Sequence, residues 1–193
     1  MQHLPKVYIA GPDVFSPEWS KFATDVKNLC LKRQLEPLFP DPVDFDPCAP
    51  DIPGLTVKGT PEQATAIFKT CVELIQQADF IAANISLFRG PAVDSGTAFE
   101  MGYAFALGKP IVVYTKSINI PENHDDMKRL RTKHGAYLCR NGYVVERFGL
   151  AANVMVDRAC QTVYSGTIQQ ALDHIARLAK NRDKKHSTEE YAR

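Results

Sequence analysis

Hydrophobic and polar positions follow two alternating patterns along this chain. Short runs rich in β-branched and aromatic residues predict buried strands, at 6–11, 36–40, 79–86, 110–116 and 161–166. Between them, longer amphipathic or apolar stretches predict helices, at about 16–33, 60–78, 95–107 and 167–182, with a short one at 152–159. Because strands and helices alternate, we expect one open, mostly parallel α/β sheet with both faces covered.

Local signals mark helix starts, turns and loops. Thr60 and Gln63 match a capping box, and Ser16, followed by a proline, predicts a second helix start. Asn141-Gly142 predicts the turn of a hairpin inside an irregular, charged excursion at 117–150. A proline- and aspartate-rich loop at 41–60 is long enough to be functional.

This order of elements predicts a single flavodoxin-like, doubly wound domain with a five-stranded sheet over residues 1–182, followed by a charged, mobile tail at 183–193. Ligands of such sheets bind at the carboxyl ends of the strands. That rule brings four loops together at one edge, at 11–16, 41–60, 87–94 and 117 onward.

Composition excludes several classes of partner. The formal net charge of +1 gives no electrostatic reason to expect nucleic acid or a membrane surface, and no apolar run has the length of a membrane helix. The N-terminal stretch lacks the layout of a signal peptide, and the five cysteines show no CxxC spacing, so we expect reduced thiols in a cytoplasmic protein. The five scattered histidines indicate no metal site, and we expect no cofactor.

Glu100 is the one charge in the otherwise apolar helix at 95–107. It has a structural interpretation, because Thr97 and Glu100 match a capping box. It also has a catalytic one, because the helix starts nearer Asp94, which places Glu100 beyond the reach of the cap. A carboxylate on an apolar helix is costly to bury unless it is paired or lines a cleft.

Other candidates also have both a structural and a functional interpretation, and the local pattern favours the structural one for Asp79 and Arg89. Asp94 fits a helix N-cap, but with Glu100 it could supply the two carboxylates that glycosidic chemistry uses. Asp79 could cap a strand junction, and Tyr8 could be a core residue or could aim its hydroxyl at a carboxylate. Arg89, beside Gly90 and a helix start, could hold an anion or be an exposed loop residue.

Three separated segments carry a resemblance to a known family: KVYIAGPDVF (6–15), ADFIAANISLFRGPAVDSGTAFEMGYAFALGKPIVVYT (78–115) and FGLAANVMV (148–156). They resemble the nucleoside 2-deoxyribosyltransferases, in the form found in trypanosomatids and related bacteria. The resemblance implies that Glu100 is the nucleophile, that Asp94 and Asp79 act on the base, and that Tyr8 orients the nucleophile. It also implies that Asn153 reaches the sugar bound by a neighbouring subunit. It further implies a substrate-binding set consisting of Gly11, Phe15, Arg89, Gly90, Gly96 and Met155.

The activity implied by this resemblance is transfer of a 2-deoxyribosyl group between bases, in nucleoside salvage, with some hydrolysis. Its substrates would be 2-deoxynucleosides and free purine or pyrimidine bases, and the enzyme would be a homo-oligomer, dimer or hexamer. Two alternatives remain, an N-glycosidase of 2-deoxynucleoside 5′-monophosphates on the same fold and a non-catalytic nucleotide-binding module. The loop at 41–60 is longer than in compact members and the C-terminal tail is extended, so base selectivity and any role of a C-terminal carboxylate are not transferred.

Overall fold

The structure, a computed structural model, describes residues 4–39, 60–115, 130–131, 135–146 and 148–190. The strands are β1 (Lys6–Ala10), β2 (Glu36–Leu38), β3 (Phe80–Asn84), β4 (Ile111–Thr115), β5 (Leu130–Arg131), β6 (Tyr137–Leu138) and β7 (Thr162–Ser165). The helices are α1 (Trp19–Leu31), α2 (Pro61–Gln77), α3 (Ser95–Ala106), α4 (Val154–Ala159) and α5 (Ile168–Glu190), with a short 3₁₀ turn at Pro12–Phe15.

The main sheet has the order β2-β1-β3-β4-β7, and every pairing described in it is parallel. Tyr8 of β1 lies beside Ile81 of β3 and Leu38 of β2 in this register. The prediction of a mostly parallel α/β sheet is confirmed. All carboxyl ends of these strands therefore meet at one edge, where the loop after β1 and the loop between β3 and α3 lie.

Two apolar layers cover the sheet. One layer packs α1 and α5 against one face, with Val26, Leu172 and Ile175 fully buried. The other packs α2 and α3 against the opposite face, where Ile75 and Met101 meet the buried ring of Tyr8. The two faces therefore have different neighbours, and this difference decides which side chains can reach Glu100.

Helix ends agree with the local signals in one case and not in another. Thr60 caps α2, its side chain accepts from the Gln63 backbone, and the Gln63 side chain accepts from the Thr60 N–H, so the predicted capping box is confirmed. The predicted helix start at Ser16 is wrong, because α1 begins at Trp19. The Ser16 hydroxyl instead accepts from the Glu18 N–H in the turn that precedes α1.

The C-terminal helix is also longer than predicted. Its backbone continues as α5 to Glu190, past the expected end at 182 and into the residues predicted as a tail. Charged residues continue a helix well when it is already nucleated by a packed amphipathic segment, as at Leu172 and Ile175.

The hairpin predicted at Asn141-Gly142 is confirmed. Gly142 has a positive φ of 82°, and the Cys139 N–H donates to the Tyr143 carbonyl across the turn. The predicted loop at 41–60 lies outside the described residues apart from Thr60, and so does much of the excursion at 117–150. In the described part of the chain, four cysteines are free thiols, and no helix is long and apolar enough to cross a membrane.

Candidate active site

Glu100 lies in the second turn of α3, the helix that follows β3 in the chain, and its side chain faces β1. The Tyr8 hydroxyl donates a hydrogen bond to Glu100 Oε1 at 2.5 Å. The helix is capped by Asp94, whose side chain accepts from the Thr97 N–H at 2.9 Å. Glu100 is therefore not the glutamate of a capping box, and the structural interpretation of its position is wrong.

Burial controls the ionisation of Glu100. Removal of the carboxyl from water raises its pKa to about 7; the hydrogen bond from Tyr8 opposes this rise, and the nearby charge of Asp94 adds to it. A carboxyl with this pKa is substantially ionised near neutral pH and is poorly solvated. These are the properties of a nucleophile or a general base.

Tyr8 is held in a single environment, because its side chain is only 1% exposed and packs with the buried residues of the α2–α3 layer. Burial, together with the adjacent Glu100 carboxylate, raises the pKa of Tyr8 far above its usual value. The phenol therefore keeps its proton and acts only as a donor toward Glu100.

Asp94 combines two tasks at the start of α3. Its Oδ2 accepts from both the backbone N–H and the hydroxyl of Thr97, at 2.9 and 3.0 Å. Gly96 lies against the same oxygen, because a Cβ there would stand 3.1 Å from Asp94 Oδ2. The predicted N-cap is therefore present, and the carboxylate also lies close enough to affect Glu100.

Three side chains form a flat surface at the same edge of the sheet. Phe15 and Phe88 stack with ring centroids 5.4 Å apart, and the Arg89 guanidinium lies over both rings, at 5.2 and 4.6 Å. Arg89 has a positive φ of 53°, and the adjoining Gly90 has a φ of 141°. This turn lies in the loop between β3 and α3, and it brings Phe88 and Arg89 against Phe15 of the 3₁₀ turn.

The loop after β1 is fixed by residues that the sequence did not single out. Asn84 Nδ2 donates to Asp13 Oδ2 at 2.8 Å, which links the end of β3 to the 3₁₀ turn carrying Phe15. Gly11 allows this contact, because a Cβ there would lie 2.7 Å from the Asn84 Cβ. The sequence does carry one signal for this contact, because an asparagine ends an apolar strand and a buried polar side chain needs a hydrogen-bonding partner.

The structure corrects the assignment of Asp79 to the site. Asp79 precedes β3, so it lies at the amino edge of the sheet, and its Oδ2 accepts from the Lys6 N–H at 2.9 Å. Its Oδ1 lies 3.7 Å from Arg182 of α5, which belongs to the opposite layer. An aspartate that opens a strand cannot lie at the carboxyl edge, and the described contacts of Asp79 are those of a strand junction.

Asn153 and Met155 lie at the start of α4 and are both exposed, Met155 by 78%. Within the described residues, Asn153 donates to Glu146 and accepts from the Met155 N–H rather than bonding Glu100. Within a single chain, the described contacts therefore do not bring these two predicted residues to Glu100.

The outer face of α3 is exposed although the helix is apolar almost throughout. Phe99 is 53% and Phe105 61% exposed. Phe99 contacts Phe68 of α2, at 5.8 Å between ring centroids. Among the described residues, the inner face of α3, with Met101 and Ala104, packs into the core.

Cys71 is a titratable neighbour that the sequence reasoning missed. It lies on α2, where burial raises the pKa of its thiol, and it interacts electrostatically with Tyr8. A cysteine on an amphipathic helix gives no signal of such a neighbour, because the sequence does not reveal which strand residue it faces.

The chain is similar to a known protein family and to several solved structures. Residues 7–155 match the profile of the nucleoside 2-deoxyribosyltransferase family. A 2-deoxyribosyltransferase from Leishmania mexicana is 27% identical, with a TM-score of 0.63 over 90% of this chain and 97% of that chain. A 2-deoxyribosyltransferase from Bacillus psychrosaccharolyticus is 26% identical, with a TM-score of 0.44 over 57% and 72%. A CMP N-glycosidase from Clostridium botulinum is 22% identical, with a TM-score of 0.35 over 57% and 71%. Curated protein sequences gave no match.

The matched region begins in β1, includes the whole segment from Asp94 to Glu100, and ends at the start of α4. It therefore contains the Tyr8–Glu100 pair and spans more than half of the chain. The chain belongs to the nucleoside 2-deoxyribosyltransferase family.

Proposed function

We propose that this protein exchanges the base of 2-deoxynucleosides, with Glu100 as nucleophile. The observation that carries the proposal is the pair formed by Tyr8 and Glu100, joined at 2.5 Å beside the carboxyl edge of a parallel sheet. Membership of the family supports the substrate class. The raised pKa of Glu100, about 7, supports a carboxylate that reacts near neutral pH.

The reaction proceeds in two displacements on one sugar. A Glu100 carboxylate oxygen attacks the anomeric carbon, the C–N glycosidic bond breaks, and its electron pair leaves with the base, which takes up a proton. The resulting 2-deoxyribosyl ester is attacked by a nitrogen of a second base, which regenerates the carboxylate and gives overall retention. Water in place of the second base gives hydrolysis. No cofactor is required by these steps.

Asp94 is the residue we assign to the departing base. Its described hydrogen bonds fall on Oδ2, so Oδ1 is the oxygen assigned to the base. The charge of Asp94 acts on Glu100, which places the two carboxyl groups close enough to serve one substrate, and we assign protonation of the departing base to Asp94. Asp79, at the other edge of the sheet, takes no part in this proposal.

The aromatic surface is assigned to the base. The faces of Phe15 and Phe88 can stack on a planar heterocycle, and Arg89 stiffens this surface by lying over both rings. Gly11 and Gly90 let the backbone approach the ligand without a side chain, and Gly96 does so at the start of α3.

Assembly of subunits is the proposed role of the outer face of α3. Phe99 and Phe105 expose apolar surface there, and α4, with Met155 and the preceding Asn153, packs against the same helix. An exposed apolar patch of this kind is typical of a protein–protein interface. We therefore retain a homo-oligomer, dimer or hexamer, in which Asn153 serves the sugar in a neighbouring subunit. The proposed setting is salvage of nucleosides in the cytoplasm.

A monophosphate N-glycosidase is the second candidate, and Arg89 is the observation that favours it. This arginine is exposed and lies beside the start of α3, where a 5′-phosphate could be held. The third candidate, a nucleotide-binding module, would bind nucleosides without turnover. The position of the buried Tyr8–Glu100 pair favours a catalyst over such a module.

The experiment incubates deoxyinosine with free adenine or cytosine and follows the exchanged nucleoside by chromatography. Transfer is expected in the wild type and is lost in Glu100→Ala. Parallel reactions with 2-deoxynucleoside 5′-monophosphates identify the glycosidase. Absence of both exchange and base release, or full activity of Glu100→Ala, would refute the proposed function.

A further inference from the structure

Thr97 is a buried polar residue to which the proposed reaction assigns no role. It stands in the first turn of α3, between Asp94 and Glu100, and its side chain is only 1% exposed. A hydroxyl removed from water needs a hydrogen-bonding partner. The partner of Thr97 is the carboxylate of Asp94, which we assign to the departing base.

The bond between these side chains is additional to helix capping. Asp94 Oδ2 accepts from the Thr97 backbone N–H at 2.9 Å and from the Thr97 hydroxyl at 3.0 Å. The first bond alone satisfies a backbone donor at the start of α3, which is what an N-cap does. The second bond satisfies no backbone group, so helix capping does not account for it.

The second donor restricts rotation of the carboxyl group. The terminal torsion of an aspartate is broad, so one hydrogen bond leaves the two oxygens free to turn. Two donors from one residue hold the same oxygen, Oδ2, in place. The buried, β-branched Thr97 side chain has few rotamers of its own, so its hydroxyl is a fixed donor.

Gly96 provides the room for this arrangement. A Cβ at Gly96 would stand 3.1 Å from Asp94 Oδ2, closer than ordinary van der Waals contact. The oxygen therefore lies directly against the start of the helix, where a larger residue would crowd it. Thr97 and Gly96 together fix Oδ2 on α3, and the direction of Oδ1 follows from the planarity of the carboxyl group.

We propose that Thr97 is a positioning residue of the active site, whose hydroxyl holds Oδ2 of Asp94 on the helix and so keeps Oδ1 turned toward the departing base. Small errors in the placement of an acid are costly, because proton transfer needs hydrogen-bond distance and alignment. The catalytic meaning of this role rests on the proposed function, but the hydrogen-bonded pair itself does not.

A pair of substitutions at Thr97 isolates the hydroxyl. Thr97→Val is close in shape and keeps the backbone N–H that completes the cap. It should lower kcat about tenfold and leave KM within about twofold, because the hydroxyl acts on Asp94 rather than on bound substrate. Thr97→Ser keeps the donor and should retain kcat within about twofold of wild type. The matched control is Thr65→Val on α2, where the lost hydroxyl bonds the Pro61 carbonyl at 2.9 Å, and its kcat should not change.

A double variant shows whether Thr97 acts through Asp94. Asp94→Asn still accepts from Thr97 through its amide oxygen but cannot deliver a proton. Adding Thr97→Val to Asp94→Asn should therefore lower kcat by less than about twofold more. A further loss of about tenfold in the double variant would overturn the proposal, since the hydroxyl would then act independently of the acid.

A spectroscopic measurement separates this inference from the proposed function. The ¹³Cγ signal of Asp94, assigned by its loss in Asp94→Asn, should move in Thr97→Val and stay near its wild-type position in Thr97→Ser. A moved signal in a protein whose wild type shows no exchange would uphold the hydrogen-bonded pair and refute the function. Wild-type exchange with an unchanged kcat in Thr97→Val would overturn the inference and leave the function standing. If Thr97→Val does not fold, Thr97→Ala takes its place, and the same contrast with Thr97→Ser decides.

Discussion

Replacement of Glu100 by glutamine should make the protein more stable at alkaline pH. The wild-type carboxyl is partly buried and its pKa is raised to about 7, chiefly by removal from water. Glutamine has the same shape, still accepts from Tyr8 through its amide oxygen, and carries no charge. The ionised carboxylate is therefore a cost to the folded state that Glu100→Gln removes.

The sign and size of the effect follow from linkage. Between the unfolded pKa of about 4.5 and the folded value of about 7, the native protein binds more protons than the unfolded chain, so stability falls as pH rises. Ionisation of Glu100 lowers the free energy of unfolding of the wild type by about 1 kcal/mol at pH 5 and by about 3 kcal/mol at pH 8. Glu100→Gln removes this destabilisation. The stability advantage of the variant over wild type should therefore be about 2 kcal/mol larger at pH 8 than at pH 5.

Urea denaturation at the two pH values, followed by circular dichroism, measures the difference. Glu73→Gln is the matched control, since Glu73 is exposed on α2 and undergoes the same chemical change. Only Glu100→Gln should show a stability advantage that grows with pH. A constant difference between Glu100→Gln and wild type at pH 5 and pH 8 would show that the Glu100 pKa is not raised on folding, and the proposed electrostatics would fail.

Three further substitutions test other parts of the site. Asp94→Asn keeps the N-cap and should change the free energy of unfolding by less than about 1 kcal/mol. It should lower kcat by about 10²-fold and shift the acid limb of the pH–rate profile, assigned to Glu100, to lower pH. An unchanged kcat would contradict the role of Asp94 as an acid. Asp79→Asn should leave kcat/KM within about twofold of wild type, because its contacts lie at the amino edge, and a large loss would return Asp79 to the site. Gly11→Ala should destabilise the protein by about 1–3 kcal/mol in thermal denaturation, because the new Cβ meets Asn84, and wild-type stability would contradict this geometry.

The alternation of strands and helices could be predicted from the sequence because strand cores such as FIAAN are apolar almost throughout. The start of α2 could be predicted because its sequence contains a capping box. Glu100 could be singled out because a single charge interrupts an apolar helix, and its role as nucleophile was implied by the family resemblance. Asp79 could not be placed, because its position at a strand start reveals the edge of the sheet only once the register is known. Cys71 could not be identified as a neighbour of Tyr8, because the sequence does not reveal how α2 packs against β1.

The outer face of α3 illustrates the same limit. An apolar helix can be buried within one chain or between chains, and the pattern of Phe99 and Phe105 is the same in both cases. The structure of the chain separates these cases, since Met101 is covered and the two phenylalanines are not.

The bond between Tyr8 and Glu100 joins residues that stand 92 positions apart in the chain. Such a contact forms only after β1 and α3 have both packed against the sheet, so loop closure over this distance precedes assembly of the reactive pair. Helices can form early in folding, but Glu100 acquires its hydrogen bond from Tyr8 late. A refolding chain would therefore complete this pair after its secondary structure, and recovery of the proposed activity would report when the centre of the sheet is complete.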